Sequence, residues 1–190
     1  MTFISDLRTV FWRRLDLQGL EKLDLSVTDD GVRATSTILS TEGAGFRLDY
    51  DWRLDARWRT KSLELKHLGE GIARHLLIER TAVGWLIDGL RRPDLDHVHD
   101  VDISATPFCN TLAIRQLGAN PGDELTFDVI YVDAQSLSSV ASRQRYIRKS
   151  GDVVRYVDLA TALGFEADLR VDRDGFVVTY EGLFEQVRCS

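Results

Sequence analysis

Hydrophobic and polar residues alternate along most of the chain with a period of two. The clearest run covers residues 46–54, where charged positions separate the apolar residues Phe46, Leu48, Tyr50, Trp52 and Leu54. Successive side chains of a strand point to opposite faces, so this run predicts a strand with one buried face. Runs of the same kind occupy residues 23–27, 32–38, 63–65, 125–131, 165–171 and 176–180.

Short polar turns separate these runs, and two of them contain Asp-Gly. Asp30-Gly31 and Asp174-Gly175 supply the positive φ that a tight hairpin needs. Strands joined by such turns predict an antiparallel meander, and a sheet of about ten strands curls. We therefore expect a mainly β (α+β) fold with a strongly curved antiparallel sheet or incomplete barrel. Residues 135–148 are ambiguous, and their composition favours a strand.

One segment departs from the period of two and predicts the main helix. Residues 104–117 read SATPFCNTLAIRQL, in which Thr106 suits an N-cap and Pro107 the first helical position. Gly118 follows as a C-terminal stop. We expect a helix from Pro107 to Leu117, packed on or near the concave side of the sheet.

Length and composition indicate one soluble globular domain spanning residues 1–190. Hydrophobic residues make up 44% and charged residues 28%, which is typical of a chain that folds around a core. The net charge of −6 disfavours nucleic acid as a partner, because binding phosphates requires a basic face.

The expected location is the cytoplasm. The two cysteines, Cys109 and Cys189, are too few for a disulfide framework and are expected to be free thiols. Charged residues interrupt the apolar stretch that a signal peptide would need within residues 1–15, and no window is apolar enough for a membrane span.

The densest polar segment is DLDHVHDVD, residues 94–102. Alternation places His97 and His99 on one face of a strand and Asp100 and Asp102 on the other, so these four side chains do not converge on a metal. We expect no metal and no cofactor.

Asp100 and Asp102 could instead serve a hydrolase. Two residues apart on a strand, their α-carbons are separated by about 6.6 Å, which suits paired acid and base or nucleophile roles. Aspartates in strands also hold turns or pair with arginine, so the spacing alone leaves both interpretations open. The chain has no GxSxG elbow and no glycine-rich loop that opens a helix.

Arginine and aromatic residues adjoin each other near several strand ends. Arginine forks bind carboxylate or phosphate, and aromatic faces stack on sugar rings or lipid chains. The alternative is that each arginine pairs internally with an aspartate such as Asp100 or Asp102. The adjoining pairs are Trp58 with Arg59, Arg145 with Tyr146, and Arg155 with Tyr156.

The chain resembles the bacterial putative glycolipid-binding family, a former domain of unknown function, over essentially its whole length, and residues 84–117 carry the clearest match. The family's pattern is similar to W-x-x-D-G, then P-x-L-x-G-x-x-D-V-D, then T-P-x-T-N-T-L-P-I-R-R-L. The chain departs from it at His97, Cys109, Ala113 and Gln116. The matching positions are Trp85, Asp88, Gly89, Pro93, Leu95, Asp100, Val101, Asp102, Thr106, Pro107, Asn110, Thr111, Leu112, Ile114, Arg115 and Leu117.

The resemblance implies a fold similar to that of the bacterial lipoprotein localisation factors, whose curved, unclosed sheet takes lipid chains in its hollow. We therefore expect non-catalytic binding of a small amphipathic ligand, a glycolipid or fatty-acid derivative, in the hollow. Two alternatives stay open: a hydrolase acting on a glycolipid or sugar conjugate through paired aspartates, and a module that assembles through an exposed sheet edge. The oligomeric state is left open.

The expected site lies around the strand, turn and helix of residues 100–115. Arg115 should pair with Asp100 or Asp102, Asn110 should form a hydrogen bond nearby, and Trp58 and Tyr146 should form an apolar wall. The full set of expected ligand-binding residues is Trp58, Arg59, Asp88, Asp100, Asp102, Asn110, Arg115, Tyr146, Arg155 and Tyr156.

Overall fold

A computed structural model describes residues 6–187 of the chain. Two expectations fall on residues outside this range: the one about a signal peptide, in part, because it concerns residues 1–15, and the one about Cys189. Cys109 is a buried free thiol. The strands are β1 (Asp6–Arg14), β2 (Gly19–Thr28), β3 (Gly31–Ser40), β4 (Phe46–Leu54), β5 (Thr60–Gly69), β6 (Ile72–Thr81), β7 (Gly84–Ile87), β8 (Leu90–Arg91), β9 (Asp100–Ile103), β10 (Glu124–Val132), β11 (Ser139–Arg148), β12 (Val153–Asp158), β13 (Glu166–Val171), β14 (Val177–Tyr180) and β15 (Phe184–Val187). The helix α1 covers Phe108–Ile114, and a 3₁₀ turn covers Pro93–Leu95.

The strands within residues 6–187 form one large, curved and unclosed sheet. Its order runs from β8 down to β1, continues with β15, and descends to β9 at the other edge. The mainly β class is confirmed, but the sheet has fifteen strands rather than about ten. The strands β7, β8, β9, β14 and β15 have four residues or fewer. Alternation indicated β9 and β14, but β7, β8 and β15 are too short for alternation to reveal them.

One pair of strands corrects the expectation of a fully antiparallel sheet. β9 runs parallel to β10, with Asp100 opposite Val129 and Ile103 opposite Val132. A parallel pair needs a crossover between its strands, and α1 lies within that crossover. The other neighbouring strands that the structure describes are antiparallel.

The alternation in sequence becomes an alternation of burial. In β4 the five apolar positions are buried, whereas Arg47 and Arg53 are exposed. The β2–β3 hairpin has Asp29-Asp30 as its loop and not the expected Asp30-Gly31, because Gly31 already pairs with Thr28. Gly31 has φ 140°, and a Cβ there would lie 2.3 Å from the Leu54 carbonyl oxygen. The ambiguous segment 135–148 contains the strand β11, as its composition favoured.

The segment between the two edge strands brings the ends of the sheet together. Trp85 Nε1 of β7 donates to the carbonyl of Val98, at 3.1 Å. Arg80 Nη1 of β6 donates to the carbonyl of His99, at 2.7 Å. The sheet is therefore bent almost around on itself, although β8 and β9 do not pair.

Helix α1 packs inside this bend, on the concave side of the sheet. All seven of its residues are buried, and the Phe108 ring lies between those of Trp52 and Phe176, with centroids 5.7 and 6.2 Å away. The helix is shorter than the expected Pro107–Leu117, because Pro107 is its N-cap and the chain beyond Ile114 tightens into a turn. Within residues 6–187, no helix is long and apolar enough to cross a membrane.

Candidate functional site

A cavity of about 220 Å³ lies at one end of the hollow, beside the start of α1. We call it the aromatic cavity. It opens between the residues that link β9 to α1 and the strands β12, β14 and β15. Its lining consists of Asp102, Ile103, Ser104, Thr106, Asn110, Tyr131, Tyr156, Asp158, Ala162, Phe165, Tyr180, Leu183 and Phe184.

Aromatic side chains form one wall of the aromatic cavity. Tyr156 points inward from β12, and its ring centroid lies 6.1 Å from that of Tyr180 and 6.0 Å from that of Phe165. Tyr180 in turn contacts Phe184, at 6.1 Å. Behind this wall lies Tyr146, which is buried and packs edge-on against Tyr156 at 5.4 Å. Such rings present flat apolar faces with polar edges.

Asp102 and Asn110 add polar groups to the lining, and buried side chains behind the cavity hold both of them in place. Gln144 Nε2 donates to the carboxylate of Asp102. The Tyr146 hydroxyl lies 3.0 Å from both Asn110 Oδ1 and Gln144 Oε1, and donates to one of them. The expected hydrogen bond of Asn110 is thus present, with Tyr146 as its partner. Burial raises the pKa of the Asp102 carboxyl, and the negative charge of Asp158 acts in the same direction.

Asp158 holds the rim of the aromatic cavity. One carboxylate oxygen accepts from the Ala160 N–H at 2.8 Å, and the other accepts from the hydroxyls of Thr161 and Tyr156, at 2.9 and 3.3 Å. Both oxygens are therefore occupied by the turn after β12 and by the aromatic wall. Asp158 was not among the expected site residues. It lies two residues after Tyr156 on β12, so both side chains point to the same face of the sheet.

Asp100 lies outside the lining of the aromatic cavity. It is 1% exposed, and its Oδ1 accepts from the Thr60 hydroxyl and from the Val101 N–H. Burial raises the pKa of this carboxyl to about 7. Asp100 thus contacts the first residue of β5, whereas Asp102 contacts β11, so the two carboxyls meet different walls.

The expected pairing of Arg115 with Asp100 or Asp102 is wrong. The Arg115 guanidinium lies over the Trp58 ring, 4.0 Å from its centroid, and Nη1 donates to the Asp174 carbonyl at 2.8 Å. The two aspartates precede α1 and Arg115 follows it, so the helix separates them by about 10 Å at 1.5 Å per residue. Trp58 consequently belongs to the far end of the helix and not to the wall beside Tyr146.

Three further expected residues also lie away from the aromatic cavity. Arg155 pairs with Glu166 at 2.8 Å and with Asp168, because strand alternation sends its side chain to the opposite face from Tyr156. Asp88 Oδ1 accepts from the Leu77 N–H at 2.8 Å and stabilises a turn. Arg59 is exposed, 3.5 Å from Asp55.

Tyr131, Phe165, Tyr180 and Phe184 line the aromatic cavity but were missed. Each lies in a recognisable strand or turn, yet only the order and bend of the whole sheet bring β14 and β15 to the cavity that Tyr156 of β12 lines. No group of three or more His, Cys, Asp or Glu side chains in the described part of the chain could hold a metal ion.

The geometry defines a class of protein: a curved sheet enclosing one helix, with a mixed aromatic and acidic cavity at one end. A model of the family described as "Putative glycolipid-binding" matches residues 9–186, so the chain belongs to that family. The solved structure of a DUF1089 family protein from Pseudomonas aeruginosa is similar, with 31% sequence identity and a TM-score of 0.80. The similarity covers 89% of this chain and 92% of that one.

No curated protein matches the chain. The expected likeness to the lipoprotein localisation factors stays a prediction.

Proposed function

We propose that this protein binds a sugar-bearing amphipathic ligand without altering it, and that the sugar headgroup occupies the aromatic cavity. The observation that carries the proposal is that aromatic rings, a carboxylate and an amide line one and the same cavity. Aromatic faces pack against the C–H faces of sugar rings, and carboxylate and amide oxygens accept hydrogen bonds from hydroxyls. Tyr156 and Phe165 would supply the first contact, and Asp102 and Asn110 the second.

The size of the aromatic cavity limits what it can take. Its volume of about 220 Å³ is below the roughly 300–1,000 Å³ typical of sites for larger small molecules, so a single headgroup fits and acyl chains do not. Helix α1 fills the middle of the hollow. The chains would therefore lie along the rim, where Leu15 and Leu163 are 48% and 77% exposed. The Leu15 N–H donates to the carbonyl of Leu183, a residue of the lining.

Two observations support binding over hydrolysis by paired aspartates. Asp100 does not line the aromatic cavity, and both oxygens of Asp158 are held by the turn and by Tyr156. Asp102 is left without a free carboxylate partner in the same cavity, and two carboxyls with separate roles are what glycoside hydrolysis needs. A cytoplasmic location stays a prediction.

Calorimetric titration with octyl β-glucoside below its micellar concentration tests the proposal, with octanol as the sugarless probe. We expect binding of the glucoside and not of octanol. Asp102→Asn should weaken binding about ten-fold or more, because a charge-assisted hydrogen bond is worth about 1.5–3 kcal/mol. Phe165→Ala should weaken it as well, whereas Phe11→Ala, a half-buried aromatic on β1, should not.

Chromatography of the recovered glucoside completes the experiment. The proposal is supported if the glucoside is recovered intact and the Asp102 variant binds it more weakly than the wild type does. Release of free glucose, abolished by Asp102→Asn, would establish the hydrolase instead. Equal affinity of wild type and both cavity variants would show that the aromatic cavity is not the binding site.

A further inference from the structure

A second cavity, of about 330 Å³, lies at the opposite end of α1. We call it the arginine cavity. It is bounded by the end of α1, by the turn after β11 and by the β13–β14 hairpin, and Arg115 and Arg148 both line it. The sugar-binding proposal uses neither residue, so this site is independent of it.

We propose that the arginine cavity binds a phosphate group, held between the guanidinium groups of Arg115 and Arg148. Arginine forks match the oxygens of a phosphate, and two forks from different elements can contact the same anion.

Arg148 is the buried half of this site. Arg148 is 7% exposed. Among residues 6–187 its guanidinium donates only to backbone carbonyls, from Nε to that of Gly118 at 3.2 Å and from Nη1 to that of Gly151 at 3.4 Å. Its Nη2 has no partner in that part of the chain. Burial lowers the pKa of Arg148, and the negative charge of Asp123 offsets the loss of water around the guanidinium only in part. An anion in the cavity would offset it.

Arg115 is the accessible half. Its guanidinium stacks on Trp58 and donates one N–H to the Asp174 carbonyl, so its remaining N–H donors are available to a ligand. Trp58 has φ 62°, a left-handed conformation that a bulky side chain adopts only under strain. The turn around Asp55 enforces it, since the Trp58 N–H donates to the Asp55 carbonyl at 2.9 Å. Strain of this kind is concentrated at functional sites, and here it fixes the ring that orients Arg115.

Two carboxylates also line the arginine cavity, and each is already neutralised. Asp172 pairs with Arg8 and accepts the backbone N–H groups of Asp174 and Phe176, at 2.9 and 3.0 Å. Asp174 pairs with the same Arg8 at 3.1 Å and with Arg173 at 3.8 Å, so the two carboxylates face two arginines. The carbonyls at the end of α1 are occupied as well, since the N–H groups of residues 115–117 donate to them. The two unpaired guanidinium charges therefore dominate the cavity.

The phosphate could come from a soluble phosphomonoester or from a lipid headgroup, and both present the same oxygens. Calorimetric titrations with inorganic phosphate and with glycerol phosphate, at an ionic strength balanced with chloride, test the shared chemistry. We expect saturable binding that Arg115→Gln and Arg148→Gln each weaken at least ten-fold. Arg148→Lys should recover only part of it, because lysine keeps the charge but loses the fork.

Arg143→Gln is the matched control. It removes the same charge from the outer face of β11, where Arg143 pairs with Asp128 at 2.7 Å, and it should leave phosphate affinity unchanged. Arg115 is exposed, so Arg115→Gln tests the proposal even if a variant of the buried Arg148 fails to fold. No saturable binding, wild-type affinity in Arg115→Gln, or equal weakening by Arg143→Gln would each overturn the proposal.

Flotation with phosphatidylcholine vesicles, with and without phosphatidic acid, distinguishes the sources. Recruitment by phosphatidic acid that Arg115→Gln abolishes assigns the site to lipid headgroups. Phosphate binding without recruitment assigns it to soluble phosphomonoesters. Titration of Arg115→Gln with octyl β-glucoside should give the wild-type result, so failure at one cavity is distinguishable from failure at the other.

Discussion

Glu21 places a carboxyl group in the interior of the sheet. It is 2% exposed, and its Oε1 accepts from the hydroxyls of Ser36 and Tyr50, both at 2.8 Å. Its Oε2 has no partner among the described residues. Burial raises the pKa of this carboxyl from 4.5 to about 7. Below about pH 7 the folded protein therefore favours the neutral acid, and ionisation of Glu21 opposes folding.

This shift predicts a loss of stability as the pH rises. Between about pH 4.5 and pH 7 the folded protein keeps a proton that the unfolded chain has released, so the free energy of unfolding falls through this window. Glu21→Gln should gain about 2–3 kcal/mol relative to the wild type between pH 5 and pH 8, at about 1.4 kcal/mol per pKa unit. Urea denaturation at both pH values measures the difference.

The control for this prediction is Glu124→Gln, which changes an exposed glutamate at the start of β10. Its stability should follow the wild-type pH dependence. If Glu21→Gln also runs parallel to the wild type, Glu21 is ionised in the folded protein and the assignment of a neutral acid is wrong.

Single residues differ in how far the sequence predicts their partners. Asn110 and Tyr146 were expected near one another, and they meet. The partner of Arg115 could not be predicted, because it depends on which end of α1 faces which strands. Arg155 and Tyr156 illustrate a simpler limit: adjacency in a strand places two side chains on opposite faces, so only one can line the cavity.

At the scale of elements, long half-buried strands are more predictable than short ones. β4 follows from its alternation alone, since every second residue is apolar over nine residues. β14 and β15 have four residues each and line the aromatic cavity. The run at residues 176–180 predicted β14, whereas β15 carries too little periodicity to define a strand, and the place of either strand in the sheet does not follow from its own residues. The candidate site was therefore predicted on the β9–α1 side and missed on the β14–β15 side.

Helix α1 shows how tertiary structure overrides a local pattern. Its start was predictable, because the Thr106 hydroxyl accepts the Phe108 N–H at 3.1 Å beside Pro107. A surface helix has one apolar stripe, yet every residue of α1 is buried. The surrounding sheet explains this burial, and the sheet is built from strands distant in sequence.

The burial of α1 predicts a large effect of truncating its first residue. Phe108 is 0% exposed, so Phe108→Ala should leave a cavity against Trp52 and Phe176 and lower the free energy of unfolding by about 3–5 kcal/mol. Guanidinium denaturation measures the loss. Leu163→Ala, at a side chain that is 77% exposed, should stay within about 0.5 kcal/mol of wild type. Equal midpoints for the two variants would show that α1 does not support the core.

At the scale of the whole molecule, the order of strands explains how one sheet encloses a helix. β1 and β15 are paired at the middle of the order, and the two series of strands diverge from them to the edges β8 and β9. The segment 92–99 connects those edges directly, so the bend of the sheet and the path of the chain constrain each other. The sequence predicts a curled sheet from strand number, but the joining of its edges depends on contacts made by residues outside the strands.

The most buried of these contacts yields the last prediction. Trp85 is 1% exposed, and its indole N–H donates to the carbonyl of Val98, which is itself buried. Trp85→Phe keeps an aromatic ring but removes the donor, so a buried carbonyl loses its partner, at a cost of about 1–3 kcal/mol. Because this bond joins β7 to the segment before β9, the loss should be concentrated at the edges of the sheet. Hydrogen exchange should therefore accelerate in β7 and β9 while the amides of β3 and β4 stay protected. Val83→Ala, at a neighbouring residue that is 68% exposed, should leave exchange unchanged. If hydrogen exchange in Trp85→Phe accelerates equally in all strands, the effect of this hydrogen bond is not confined to the edges of the sheet, and Trp85 stabilises the whole core.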